Sequence, residues 1–162
     1  MDTFIQAALI GTGATAVMDA WGLARTRFLG IAPANYALVG RWLAYMPRGR
    51  FRHASIAKAP PVRGERAVGW IAHYATGIAF AGVLLAIWGV DWARNPALGP
   101  ALLVGIGSVA APFLLMQPGM GAGIAASRTP RPNAARFQSL VTHTVFGLGL
   151  FVTAYVANLL KG

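Results

Sequence analysis

The stretch AVGWIAHYATGIAFAGVLLAIWGV, residues 67–90, contains no Asp, Glu, Lys or Arg in 24 positions and decides the fold. A run of that length and apolarity is long enough for a helix to cross a bilayer. Two further runs are equally free of those four residues, at 95–127 and 137–160. A fourth, at 3–24, carries one charged residue, Asp19. Four spans thus fill most of the 162 residues, and the chain reads as one four-span domain over residues 1–162. Only 11% of the residues are charged, against about 25% in an ordinary soluble domain.

The net charge of +10 raises nucleic acid as a partner, and its distribution argues against it. Nine basic residues lie between the first and second spans, from Arg25 to Arg66. Three more, Arg128, Arg131 and Arg136, lie between the third and fourth, against Arg94 and Lys161 on the other side. The positive-inside bias puts both basic loops in the cytoplasm and both termini in the periplasm. The same charge draws the loops to anionic headgroups. Cysteine is absent, which removes disulfides, thiolate metal sites and a Cys nucleophile. Only Asp2 precedes the first span, so it lacks a basic leader and reads as retained.

The spans are expected at about 4–24, 67–89, 97–117 and 137–159, with Pro112 kinking the third. Gly11, Gly13 and their small neighbours in the first span allow close helix approach. Trp21, Trp42, Trp88 and Trp92 suit the membrane interface. Within the long first loop, YALVGRWLAYM (36–46) reads as a short helix lying in the cytoplasmic interface. RGRFRH (48–53) follows, and Pro60-Pro61 breaks any further helix. Arg48, Arg50 and Arg52 are candidate lipid-headgroup contacts. MQPGMGAG (116–123) is a helix end, a broken helix or a re-entrant turn. VDWARNP (90–96) is a short outer loop.

Spans two and four share R-x6-H-x3-G, as Arg66/His73/Gly77 and Arg136/His143/Gly147. Spans one and three share GxG, at Gly11/Gly13 and Gly105/Gly107. This pattern points to two helix-pair repeats about an axis along the membrane normal.

Asp19, His73 and His143 are the ionisable residues inside the runs, and each costs a few kcal/mol to desolvate. Asp19 lies six residues before Arg25, and each histidine seven after its arginine, which places all three about 9–10 Å inside the cytoplasmic boundary. Gln117 ends the third span near that level. One reading is a structural Asp–His network. A second is a metal or proton-coupled solute site with Asp19, His73 and His143 as ligands, suited to Zn, Fe, Mn or Cu, with Met116 and Met120 as further thioether donors for Cu(I). A third is haem held by His73 and His143, and a fourth is lipid-phase chemistry with histidine as base. No GxSxG, HExxH, Walker A or dinucleotide motif is present. His53 reads as a solvated loop residue.

Several strings carry a resemblance: MDAWG (18–22), YALVGRW (36–42), PRGRFRH (47–53), GERAVGWIAHY (64–74), FLLMQPGMGAGIAASRTP (113–130) and HTVFGLGL (143–150). Together they resemble the bacterial inner-membrane family known as domain of unknown function 2938, over almost the whole chain. The resemblance implies a four-span inner-membrane protein of Gram-negative type and carries no activity. It picks out Asp19, His73, Gln117 and His143 again, with the basic PRGRFRH.

The expectation is therefore an all-α, integral-membrane four-helix bundle with a short interfacial helix in its first loop. Its Asp19/His73/Gln117/His143 site binds a small ligand, metal ion or proton-coupled solute. The alternative is a non-catalytic accessory subunit of a larger membrane complex. Membrane lipids are expected partners, with a homo-oligomer or larger complex open and nucleic acid excluded. An accessory subunit would turn its small residues outward, whereas a ligand binder would spend them inside its own bundle.

Overall fold

Where charge is absent, helix follows, because backbone groups in lipid must satisfy each other within the segment. The structure, a computed structural model, describes residues 2–160. Lys161, one of the two basic residues assigned to the outer side, lies outside the described residues. The elements are α1 (Thr3–Leu29), α2 (Tyr36–Tyr45), α3 (Glu65–Trp88), α4 (Asp91–Arg94), α5 (Leu98–Gly107), α6 (Gln117–Met120) and α7 (Pro132–Leu159). A π turn over Pro112–Met116 leads into α6. No strand occurs among the described residues. Four helices are long and apolar enough to cross a membrane: Thr3–Leu29, Glu65–Trp88, Leu98–Met120 and Pro132–Leu159. The fold is an all-α, four-span membrane fold.

Local chemistry sets the ends. The Asp2 carboxylate accepts from the Phe4 N–H at 2.8 Å and caps α1, which closes on Gly30 at φ 64°. Asn35 caps α2 by accepting from the Ala37 N–H at 3.2 Å. In the third span Pro112 has no N–H for the Ser108 carbonyl. The helix answers with the π turn, in which the Gln117 N–H reaches the Pro112 carbonyl five residues back. The kink expected at Pro112 is this irregularity. MQPGMGAG resolves as a helix end: the Ala122 N–H bonds the Gln117 carbonyl at 2.8 Å, and Gly121 sits at φ 95°.

The contacts divide the chain into two compact units. The first comprises Met1–Pro33, Tyr74–Ser108 and Leu140–Gly162. Its core includes Ile10, Ala14, Leu84, Ala101, Phe146 and Leu150. The helices meet at glycines. A Cβ on Gly11 would enter the Gly77–Ile78 backbone of α3, and one on Gly105 would enter Gly147 of α7. Gly149 leaves the same room for Ala14. Helix α1 therefore lies between α3 and α7, and α7 between α1 and α5. Trp92, expected at the interface, is instead a core residue at 5% exposure. Its indole N–H donates to the Ala97 carbonyl at 3.1 Å, so the ring plugs the turn between α3 and α5. The end of α7 is tied to the same turn, with Asn158 Nδ2 donating to the Ala93 carbonyl at 2.7 Å.

The second unit comprises Ala34–His73 and Val109–Ser139. Helix α2 packs backbone to backbone on the start of α3. A Cβ on Gly40 would meet the Glu65 carbonyl, and one on Gly69 would meet the Tyr36 carbonyl. The Arg41 guanidinium grips Glu65 with two bonds of 2.8 and 2.7 Å and donates to the Ala59 carbonyl at 2.8 Å. That hydrogen-bonded carboxylate raises the Arg41 pKa above its ordinary value, against the opposing pull of desolvation. Helix α2 thus forms where the sequence puts a helix, and it is a buttress of α3 through its own glycine. Trp42 donates to the Phe51 carbonyl at 2.9 Å and packs over Gly119, and the His53 N–H donates to the Gly119 carbonyl at 2.8 Å. These contacts bind the basic loop to the end of the third span.

Candidate functional site

Each ionisable residue inside a span is held by a hydroxyl from another helix. In the first unit the Tyr74 hydroxyl of α3 donates to Asp19 Oδ2 of α1 at 3.0 Å. In the same unit His143 Nδ1 of α7 lies 2.7 Å from Ser108 Oγ, just past α5, while that hydroxyl lies 2.6 Å from the Gly105 carbonyl. In the second unit His73 Nε2 of α3 lies 3.1 Å from the Tyr36 hydroxyl of α2. The His73 ring stacks on Tyr36 with centroids 4.2 Å apart, and Trp70 closes the cluster at 4.6 Å from Tyr36. Gln117, at the start of α6, keeps its Oε1 buried without a hydrogen-bond partner among the described residues.

The structure therefore brings Asp19 to Tyr74, His143 to Ser108 and His73 to Tyr36. A hydroxyl both donates and accepts, so it can stabilise either protonation state of the group it meets. Among the described residues, no group of three or more His, Cys, Asp or Glu is placed to hold a metal ion. The set Asp19, His73 and His143 proposed as metal ligands from the sequence is not such a group. His73 also spends on Tyr36 its Nε2, one of the two ring nitrogens able to ligate a metal.

Sequence reasoning overlooked Tyr36, Tyr74 and Ser108. Ser108 was open to view, since Asn95, Ser108, Gln117 and Ser127 are the polar side chains in the third charge-free run. Tyr74 adjoins His73. Tyr36 lies 37 positions from its partner, and its role follows only from the packing of α2 on α3.

Of the headgroup candidates, Arg48 lies over the Tyr45 ring at 5.5 Å. Arg50 is exposed. Arg52 lines a cleft of 540 Å³ with His53, Arg128 and Ser127.

Four apolar spans with ionisable residues tied to hydroxyls inside them define a multi-pass membrane protein. The chain belongs to the family described as "Protein of unknown function (DUF2938)", whose model matches residues 8–157. No curated protein and no solved structure matches the chain.

Proposed function

We propose that the protein is a bacterial inner-membrane protein, with both termini on the periplasmic side, that binds a small ligand together with protons through polar residues inside its spans. Asp19, His73, Gln117 and His143 are its binding residues, and Tyr36, Tyr74 and Ser108 are their hydroxyl partners. The observation that carries this reading is the repeated pairing of a span-borne acid or imidazole with a hydroxyl, three times over. Such a pair exchanges a proton without leaving a bare charge in a low-dielectric setting.

The use of small residues supports a ligand binder over an accessory subunit. Gly11, Gly77, Gly105, Gly147 and Gly149 are spent on contacts inside the first unit, while Gly82, Gly99 and Gly107 face open space. The metal form of the site is not carried forward, for the geometric reason given above.

The test is a pH titration of ring-labelled histidines by NMR, with the protein in lipid nanodiscs. Replacing Asp19 by Asn changes the titration of both His73 and His143 if the residues act as one site, because a charge in that setting is felt over several ångströms. If each histidine titrates as before and only the thermal midpoint falls, the three pairs are separate structural ties and the ligand reading is wrong.

A further inference from the structure

The second unit is electrostatically lopsided. It holds ten of the chain's fourteen basic residues and a single acid, Glu65. That acid is fully engaged, accepting from Arg41 at 2.8 and 2.7 Å and from the Val62 N–H at 2.8 Å. Nothing remains inside the unit to neutralise the other bases.

The cleft of 540 Å³ gathers part of this charge. Arg52 and Arg128 line it from two loops 76 positions apart, and among the described residues neither meets a carboxylate. His53 lines it too. Ser127 adds a hydroxyl, and Leu114, Pro118 and Ile124 form an apolar wall. Leu114 and Ile124 are exposed at 59% and 62%, and Leu114 belongs to the π turn within the third span.

The cleft is held in shape from both sides. The His53 N–H bonds the Gly119 carbonyl at 2.8 Å, and Gly121 is pressed against the Ala54 carbonyl. On the other side Arg136 Nε donates to the Ala125 carbonyl at 2.8 Å. Ala125 and Ala126 sit at φ 47° and 59°, in the left-handed region that alanine avoids. A strained backbone persists only where surrounding contacts fix it, and it is concentrated at ligand sites.

We propose that this cleft binds a phosphate monoester: two planar guanidinium forks, one imidazole and one hydroxyl around the phosphate oxygens, beside an apolar wall for a hydrocarbon chain. Guanidinium matches phosphate in a two-point geometry that few other anions meet. The wall favours the headgroup of a membrane lipid as the source, and free phosphate offers the same oxygens. This site is independent of the intramembrane acid and imidazoles, and its test does not touch them.

The experiment uses the full chain in nanodiscs of phosphatidylcholine, doped with phosphatidic acid or with phosphatidylglycerol at equal surface charge, and separately with added inorganic phosphate. Bound lipid is counted by native mass spectrometry and protection by the thermal midpoint. Phosphatidic acid binds in preference to phosphatidylglycerol, since only the former presents a monoester. Arg52→Gln and Arg128→Gln each weaken that binding about tenfold, the usual cost of a charge-assisted hydrogen bond. The controls Arg63→Gln and Arg66→Gln each remove one charge from an exposed position outside the cleft and leave the preference intact. If inorganic phosphate protects the protein as well and with the same dependence on Arg52 and Arg128, the cleft stands and its ligand is soluble. Equal binding of the two lipids, or equal loss in the cleft and control variants, overturns the proposal.

Discussion

At the scale of single residues, glycine does the most to set this structure. Gly105 and Gly107 stand two apart on α5, and the chain uses them differently. A Cβ at Gly105 collides with the Gly147 backbone, whereas one at Gly107 meets nothing within 4 Å. Gly105→Ala should destabilise the protein by about 1–3 kcal/mol, the range for overpacking a tight contact. Gly107→Ala should be neutral or mildly stabilising, since alanine is the better helix former. Thermal unfolding of both variants in the same detergent checks the pair. Equal changes at the two positions would show that the α5–α7 seam does not set the effect. Arg41 makes the complementary point. It is 9% exposed, and its charge is tolerable there because Glu65 and the Ala59 carbonyl take up its donors.

At the scale of elements, the four spans were legible because charge is what a span cannot afford, and its absence over runs such as 67–90 leaves few alternatives. Observed ends extend past the expected ones, as in α1 running to Leu29, since helices continue through the interface until a cap such as Gly30 stops them. The glycine echo between spans two and four was also legible, and it corresponds to packing: Gly77 meets α1 as Gly147 meets α5. The hydroxyl partners were not legible, because nothing local marks which Tyr or Ser a folded helix will face. The Arg41–Glu65 pair, 24 positions apart, was missed for the same reason. Trp92 was misassigned because an indole suits a core as well as an interface, and only the α3–α5 turn decides between them.

The turn after α6 gives the test at this scale. Gly121 has φ 95° and lies against the Ala54 carbonyl. Gly121→Ala should cost about 1–2 kcal/mol for the backbone conformation alone, before any clash. Trypsin should then cleave after Arg128 several-fold faster than in the parent protein, because the loop loses its anchor to residues 53–54. Unchanged cleavage would mean that the Trp42–Gly119 and Arg136–Ala125 contacts suffice to hold it.

At the scale of the whole molecule, charge asymmetry sets orientation. Reporter fusions after Lys58 and Pro132 should report cytoplasm, and fusions after Asn95 and at the C-terminus should report periplasm. A periplasmic signal from the Lys58 fusion would invert the topology and with it the side from which the basic cleft meets lipid. The first unit supplies the spans' tight seams, and the second carries nearly all the net charge. Arg52 and Arg128 are exposed and outside those seams, so their substitution should leave the unfolding midpoint without ligand close to that of the parent.

The two imidazoles meet their hydroxyls through different nitrogens, His73 through Nε2 and His143 through Nδ1. The Ser108 hydroxyl gives its one proton to the Gly105 carbonyl at 2.6 Å, so it accepts from His143 Nδ1–H. The neutral His143 ring then keeps its lone pair on Nε2, the nitrogen that His73 turns to Tyr36. Two histidines in matching sequence contexts, each seven residues after an arginine and four before a glycine, thus commit opposite nitrogens to their hydroxyls. A repeated scaffold therefore presents two imidazoles of different polarity, and an incoming proton meets two sites that are chemically distinct.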